Sequence, residues 1–194
     1  IALALAGTTI RDFTYDDAAP WPTTPDGSGP TLVLADPASN PDHNVAASWR
    51  ASYVIGGTPG AGEPPILGWR LANFGTTEDA GDAADAADPD QDGIANLAEY
   101  ALALDPNKAG GLSANVSVDT EAGYLRLSVT RNPDATDVAL AVEVSADLVN
   151  WADVEDVDID TEADAATLLV VGDRTAIEDA PRRFVRCRVT YTGP

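Results

Sequence analysis

Near the middle of the chain, four acidic residues stand at a spacing that suits a hard metal ion. The segment from Asp88 to Glu99 matches the pattern D-x-D-x-D-G-x5-E at every specified position. In this pattern the aspartates supply side-chain oxygens to Ca²⁺, the glycine allows a sharp turn, and the glutamate closes the site with two oxygens. The predicted calcium ligands are Asp88, Asp90, Asp92, the backbone carbonyl of Ile94, Asn96 (a position that often acts through water) and Glu99.

Electrostatic repulsion supports this interpretation. Four carboxylates gathered so closely would repel one another unless a cation lay between them. We therefore predict that the loop folds around Ca²⁺, which is the cofactor we expect. The alternative is an acidic turn without an ion that only caps the helix after it. Two further acids, Asp82 and Asp85, either add ligands or belong to a polar helix face.

Apolar residues on both sides of the loop predict the helices that position it. The segment 64–74 begins with two prolines, carries apolar residues at i, i+4 and i+7, and is followed by Gly75, a natural stop. A second helical stripe runs from Leu97 to Leu104. Pro106 ends it, because proline disfavours helix at the residue before it.

This helix, loop and helix resemble an EF-hand. Paired EF-hands usually carry a bulky apolar residue at the eighth loop position, but here that position is Ala95 and the apolar residue is Ile94. A lone motif is therefore expected, as in the calcium loops of dockerins and thrombospondin type-3 repeats, which the segment resembles. Residues 88–102 are also similar to the D-P-D-x-D-G-[IL]-x-N-x-x-E-Y-A-L stretch of many bacterial surface proteins. That resemblance implies a secreted protein.

Composition narrows the range of partners. Asp and Glu total 32 against 11 Lys and Arg, which gives a formal net charge of −21. Such a charge repels nucleic-acid phosphates and anionic lipid headgroups. No apolar run approaches the roughly 18 to 20 residues that a membrane span needs. We expect neither a nucleic-acid partner nor a membrane span, although the acidic bias also suits a saline habitat and is not by itself evidence for a metal.

Residue types that often carry catalysis are scarce. Cys187 is the single cysteine and alternates with Val185 and Val189, which indicates a buried position on a strand. His43 is the single histidine and lies in a turn-rich loop, where a surface position is expected. No segment gathers a nucleophile, a base and an oxyanion donor. We therefore expect no enzymatic activity.

Residues 1–60 read as short strands separated by turns. Alternating apolar residues predict strands at 1–5, 9–15 and 31–36. Several motifs resemble the closing part of a bacterial lamin tail domain, which implies an immunoglobulin-like sandwich: Trp21-Pro22, Gly27 to Pro30, Ser48 to Ser52 and Gly56 to Gly60. Three strands cannot close two sheets and would expose a strand edge and an apolar face. Either the chain is a fragment of a longer polypeptide, or strands of another subunit complete the sandwich.

From Val116 onward the apolar period changes to two, and turn residues interrupt it at intervals typical of a sandwich. Residues 112–194 are thus predicted to form a small antiparallel β-sandwich. Segments 142–151 and 181–189 resemble a C-terminal module that often follows such calcium loops in large secreted bacterial proteins. The predicted fold class is mainly β, with immunoglobulin-like β-sandwiches at 1–60 and 112–194 joined by a helix–calcium loop–helix module at 61–111.

Two charge patterns mark the last segment. Asp156, Asp158 and Asp160 alternate with apolar residues and either hold a second cation or form a solvated strand face that blocks edge pairing. We expect the arginines to pair with acidic neighbours across strands. The alternative is docking on an acidic surface of a second molecule. Four of the ten arginines lie here: Arg182, Arg183, Arg186 and Arg188.

Together these inferences predict a calcium-stabilised extracellular or cell-surface protein with a structural or adhesive role. Its expected partners are copies of itself, in a filament or surface matrix, or other surface proteins. The alternative is a carbohydrate-binding or anchoring module of a larger secreted enzyme, with a polysaccharide as its partner. The tryptophans that could form a sugar platform occur in four separate motifs, which favours core positions: Trp21, Trp49, Trp69 and Trp151. Calcium removal is expected to loosen residues 64–105 before either β module.

Overall fold

The computed structural model describes residues 2–121, 123–153, 163–165, 167–180 and 182–193. Within these ranges the chain is mainly β, with several small antiparallel sheets, which confirms the coarse fold prediction. The chain divides into two compact units, Ile1–Glu63 and Pro64–Pro194. The acidic row at Asp156, Asp158 and Asp160 lies outside the described residues.

The first unit contains two separate antiparallel sheets, each of two strands. Strands β1 (Ala2–Leu5) and β2 (Thr8–Asp12) form one sheet, and β3 (Pro30–Leu34) and β4 (Trp49–Ile55) form the other. Strand β4 was not among the strands predicted from the sequence, although Trp49, Ala51 and Tyr53 alternate with the polar Arg50 and Ser52. β2 also ends at Asp12, three residues earlier than predicted.

Aromatic rings pack together beside these strands. The rings of Phe13 and Trp49 stack with their centroids 4.8 Å apart, and Trp21 lies 6.5 Å from Trp49. His43 packs edge-on against both Phe13 and Trp49 at 5.5 Å, and the Trp49 indole N–H donates to the His43 carbonyl at 2.9 Å. His43 therefore lies in a loop, as predicted, but it is half-buried instead of lying free on the surface.

The second unit begins with the helices that border the acidic loop. Helix α1 (Pro65–Phe74) ends at Gly75, whose φ of +73° suits glycine, and agrees with the predicted helix. Helix α2 (Asn96–Leu102) is shorter than predicted. It ends because Ala103 adopts a left-handed conformation and its N–H donates to carbonyls of the preceding turn. No described helix is long and apolar enough to cross a membrane.

Helix α3 (Leu112–Asn115) leads into two antiparallel sheets. Their strands are β5 (Val116–Glu121), β6 (Tyr124–Thr130), β7 (Val138–Ser145), β8 (Ala152–Asp153), β9 (Ala163–Ala165), β10 (Leu168–Ala176) and β11 (Phe184–Tyr191). One sheet has the strand order β5-β6-β10-β9 and the other has the order β11-β7-β8. Cys187 on β11 is half-buried, and burial raises the pKa of its thiol to about 11.

Both sheets and a helix contribute to one core. Leu127 and Val129 of β6 pack with Val142 and Val144 of β7, and Leu102 from the end of α2 joins them. A second cluster brings together residues from α1, α2 and the segment before β7, namely Ile66, Tyr100 and Ala135. Helix α2 and the strands therefore share a core across the predicted division at residue 111.

Candidate metal centre

The loop between α1 and α2 brings three carboxylates together. Asp88, Asp90 and Asp92 each offer an oxygen, and these three oxygens lie within 4.8 Å of one another. All three side chains are half-buried. Their grouping follows from the sequence spacing, because alternate residues of a tightly turning loop point to its inside.

Backbone N–H groups of the loop hold these carboxylates in place. The Asp92 N–H donates to Oδ1 of Asp88 at 3.2 Å and to Oδ1 of Asp90 at 3.1 Å, and the Gly93 N–H donates to Oδ2 of Asp88 at 2.9 Å. The Ile94 N–H donates to Oδ1 of Asp92 at 2.9 Å. Gly93 has a φ of +92°, and an added Cβ would meet nothing within 4 Å, so glycine is needed here for its backbone conformation.

Glu99, on the first turn of α2, is the most unusual carboxylate of the described chain. It is 0% exposed, and neither carboxylate oxygen accepts a hydrogen bond from the described protein. Burial, together with the charges of Asp90, Asp92 and Asp88, raises the pKa of Glu99 to about 7. A buried acceptor without a donor is destabilising by about 1 to 3 kcal/mol, and more when it is charged.

Two neighbouring residues also carry unsatisfied oxygens. Asn96 is 0% exposed, and its amide nitrogen donates to the carbonyls of Asp82 and Ala84, each at 2.8 Å. Its Oδ1 is buried without a partner in the described structure, as is Oδ2 of Asp90. Burial raises the pKa of Asp90 as well. Four oxygens from Asp90, Asn96 and Glu99 are thus available as ligands, and this fits a hard cation that prefers oxygen.

The remaining sequence candidates have other roles. Asp85 forms an ion pair with the buried Arg70, and its N–H donates to Oδ1 of Asp79 at 2.7 Å. Asp82 is exposed, in a short 3-10 turn over Gly81–Ala83, and contributes its carbonyl to Asn96. Neither acid belongs to the group of three aspartates, and neither lies on a regular helix.

Sequence reasoning missed the segment that returns to the loop after α2. The Gly110 N–H donates to Oδ2 of Asp92 at 2.8 Å. Gly110 and Gly111 have φ values of +100° and +103°, and a Cβ on Gly111 would come within 3.2 Å of the Leu104 side chain. The sequence gives no sign of this contact, because a hydrogen bond between residues 18 positions apart leaves no trace in local periodicity.

The arginines of the last strand pair within the chain, as predicted. Glu143 accepts from Arg186 at 2.6 Å and from Arg188 at 2.8 Å, and these hydrogen bonds lower its pKa. Arg183 forms an ion pair with the buried Asp173. Arg182 is exposed.

The acidic loop can therefore hold a cation through oxygen atoms alone. Its carboxylates are fixed by backbone donors, and its buried acceptors have no other partner in the described chain. No family model matches this sequence, and no curated protein or solved structure is similar to it at a significant level. The chemistry of this site is consequently the basis for assigning a function.

Proposed function

We propose that residues 88–99 bind one calcium ion and that the ion stabilises an extracellular protein with a structural or adhesive role. The observation that carries the proposal is Glu99, a fully buried carboxylate whose oxygens have no donor within the described structure. A divalent cation would supply the missing partner and would compensate the charge of the three nearby aspartates. In a protein a bare carboxylate in this position would otherwise tend to hold a proton.

The ligand set favours calcium over other metals. Asp88, Asp90 and Asp92 would each give a carboxylate oxygen and Glu99 would give two. The Ile94 carbonyl and Asn96, directly or through water, would bring the total to the six to eight oxygens that Ca²⁺ takes. Zinc prefers nitrogen and sulfur ligands, and Mg²⁺ requires fewer protein ligands in strict octahedral geometry.

The alternative of an acidic turn that only caps α2 has little support. The N-cap residue of α2 is Ala95, and no side chain accepts a hydrogen bond in the capping position. The aspartates accept from N–H groups inside the loop instead. A cap would also not explain why Glu99 is buried without a donor.

Calcium titration by calorimetry tests the site. We expect one ion per chain, with an affinity in the range of extracellular modules, about 10⁻⁴ to 10⁻³ M. Glu99→Gln keeps the side-chain volume but removes the charge, and should weaken binding roughly 100-fold, which corresponds to about 2.8 kcal/mol. Glu78→Gln is the matched control, because Glu78 is an exposed residue before the loop. Equal affinities for the two variants would contradict the proposal.

The structural or adhesive role is supported by the first unit. Each of its sheets has only two strands, and several apolar side chains are exposed: Leu3 (59%), Leu5 (70%), Ile10 (54%) and Ile55 (77%). Two-stranded sheets are marginally stable alone. We propose that strands from a second copy, or from another surface protein, complete an immunoglobulin-like sandwich like that of a lamin tail domain. If this contact runs head to tail and repeats from subunit to subunit without closing into a ring, it would produce a filament.

Sedimentation across a concentration series tests this assembly. The double variant Leu3→Lys, Leu5→Lys should shift the protein to monomer, because charges on the exposed face prevent strand addition. Leu148→Lys, Val149→Lys is the matched control, since both residues are exposed apolar side chains of the other unit. Wild-type protein that stays monomeric at every concentration would contradict self-assembly.

The carbohydrate-binding alternative has one observation in its favour. A cavity of about 640 Å³ in the first unit is lined by the exposed Tyr15 and by three carboxylates, those of Asp16, Asp17 and Asp26. An aromatic ring can bind a sugar by stacking on it, and nearby carboxylates can accept hydrogen bonds from the sugar hydroxyls. The tryptophans are less available, since Trp49 stacks on Phe13, Trp69 lies beside Tyr100, and Trp151 lies under Arg186. Binding on a glycan array, lost in Tyr15→Ala, would favour the alternative.

The second unit is proposed to be the other β-sandwich of this protein. Its four-stranded and three-stranded sheets contribute side chains to one shared core, as the two faces of a sandwich do. The resemblance of its sequence to C-terminal modules of secreted bacterial proteins fits the proposed extracellular setting. We propose no catalytic step for either unit.

A further inference from the structure

Helix α2 carries candidate calcium ligands at one end and core residues at the other. Asn96 and Glu99 lie in its first turn. Tyr100, Ala101 and Leu102 follow directly and are 2%, 0% and 4% exposed. Leu102 packs in the core formed by the two sheets, while Tyr100 packs against α1 and the segment before β7. Seven residues of helix span only about 10 Å, so the two ends cannot move independently.

The last carbonyls of α2 are bound by residues of the β region. The Asn132 N–H donates to the Ala101 carbonyl at 2.9 Å, and the Asn132 side chain donates to the Tyr100 carbonyl at 3.0 Å. The Asn115 side chain donates to the Leu102 carbonyl at 2.5 Å. Helix termini leave such carbonyls without intrahelical partners. The end of α2 is therefore satisfied by Asn115, which directly precedes β5, and by Asn132, which follows β6.

Asp137 joins both helices to the strands. It is 7% exposed, and its carboxylate accepts from the Tyr100 hydroxyl at 2.6 Å and from the Ile66 N–H at 3.0 Å. Its own carbonyl accepts from the Thr192 N–H at 2.8 Å. One residue thus contacts the start of α1, the middle of α2 and the chain after β11. Loss of α2 would leave the buried Asp137 carboxylate without the Tyr100 hydroxyl.

A second connection runs through the chain after α2. The Gly110 N–H donates to Asp92, one of the proposed calcium ligands. Two residues later α3 begins, and its last residue, Asn115, is followed directly by β5. The proposed site is consequently linked to the sheets both through α2 and through this segment.

From these contacts we infer that calcium stabilises the strands of the second unit as well as the helices around the loop. The inference rests on the proposed calcium site and replaces the expectation that residues 64–105 loosen first. A ligand that binds only the folded state stabilises everything that unfolds together with its site. Because α2 contributes Leu102 to the core of the sheets, the helices and the strands of this unit unfold together.

Hydrogen exchange of the whole chain, with calcium and with chelator, tests this coupling. At a calcium concentration 100 times the dissociation constant, exchange through unfolding of the unit should slow about 100-fold. We expect the same factor in α2 and in strands β6, β7, β10 and β11. Strands β3 and β4 of the other unit are the internal control and should exchange at the same rate in both conditions.

A core variant far from the loop sequence gives an independent measurement. Val142→Ala weakens the core at β7. In chelator this variant should lose its β-sheet circular dichroism signal at a lower temperature than wild type. Adding calcium to the variant should raise its unfolding temperature most of the way to that of wild type in chelator. The same substitution at Val33 in β3, in the other unit, should show no restoration by calcium. Adding Glu99→Gln to Val142→Ala should abolish the restoration.

The outcomes separate this inference from the proposed function. Calcium binding with slowed exchange in the strands supports both. Calcium binding by calorimetry, with strand exchange unchanged and only residues 64–105 protected, overturns the coupling and leaves the calcium site in place. Absence of calcium binding overturns both.

Discussion

In the second unit two sheets and α2 enclose Leu127, Val129 and Val142, whereas in the first unit Ser52 is the only fully buried residue among those described. The first unit is organised by aromatic stacking and by charge. Its Arg50 pairs with Glu63 at 2.6 Å and lies 4.0 Å over the Tyr53 ring. Both units contain short antiparallel strands, so the presence of strands alone does not determine burial.

The number of layers explains this difference. A sheet buries an apolar face only when a second layer covers it. The second unit has two sheets and a helix that converge on one core, while each sheet of the first unit has two strands. The second unit therefore has a core of its own, whereas the first unit would gain a second layer only through the proposed assembly.

Removal of a core side chain should produce the largest difference in stability between the two units. Leu102→Ala should lower the free energy of unfolding of the second unit by about 3 kcal/mol, because it removes buried apolar surface and leaves a cavity. Ile55→Ala, at a side chain that is 77% exposed in the first unit, should change the stability of the monomer by less than about 0.5 kcal/mol. Urea unfolding, followed by hydrogen exchange of each unit, measures both. Similar losses for the two variants would show that Ile55 is covered in solution.

The stability of the metal-free second unit should fall as the pH rises. The pKa of Glu99 is raised from 4.5 to about 7 in the folded state, so the unfolded chain releases this proton first. Between about pH 4.5 and 7 the folded state therefore loses roughly 2 kcal/mol, after allowance for water that enters the metal-free loop. Thermal unfolding in chelator at pH 5 and pH 8 measures the effect, and Glu99→Gln should remove it. The first unit should not share this dependence.

The elements of this chain differ in how far the sequence predicts them. Helix α1 is predicted to within one residue of its observed limits, because prolines and Gly75 mark both ends. The end of α2 is not, because Ala103 takes a left-handed conformation that alanine rarely adopts and that no local pattern indicates. Strand β4 differs from this case, because its residues 49–53 alternate between apolar and polar and the sequence therefore did contain a signal for it.

The same limit applies to predicting the candidate site from the sequence. The spacing of Asp88, Asp90 and Asp92 predicts that their carboxylates meet, because the loop is short and turns at Gly93. The sequence does not reveal that Asn96 binds two carbonyls, that Gly110 donates to Asp92, or that Asp85 pairs with Arg70. These contacts join residues 12 to 18 positions apart and depend on how the helices pack. Local patterns contain the ligand types, while packing decides which acids remain free for a ligand.

The ion pair of Asp173 and Arg183 should make the second unit sensitive to acid. Burial raises the pKa of Asp173, but hydrogen bonds from Arg183 and the Thr175 N–H outweigh it and hold the pKa below the ordinary 3.8. The stabilisation is thus present above about pH 4 and is lost as the pH falls below it. Arg183→Met should cost about 2 kcal/mol at pH 7 and reduce the loss at low pH, because it leaves a buried carboxylate unpaired. Arg182→Met, at an exposed neighbour, is the control.

The smallest expected effect compares two glycines in the same backbone region. Gly93 of the acidic loop and Gly7 of the β1–β2 turn have φ values of +92° and +83°, and an added Cβ meets nothing within 4 Å at either position. Alanine should therefore cost about 1 kcal/mol of backbone strain at each site, without steric clash. Gly93→Ala should weaken calcium binding by up to roughly fivefold, since strain in the loop opposes the bound form. Gly7→Ala should leave calcium binding unchanged, and an equal loss in both variants would contradict the assignment of the site to the loop.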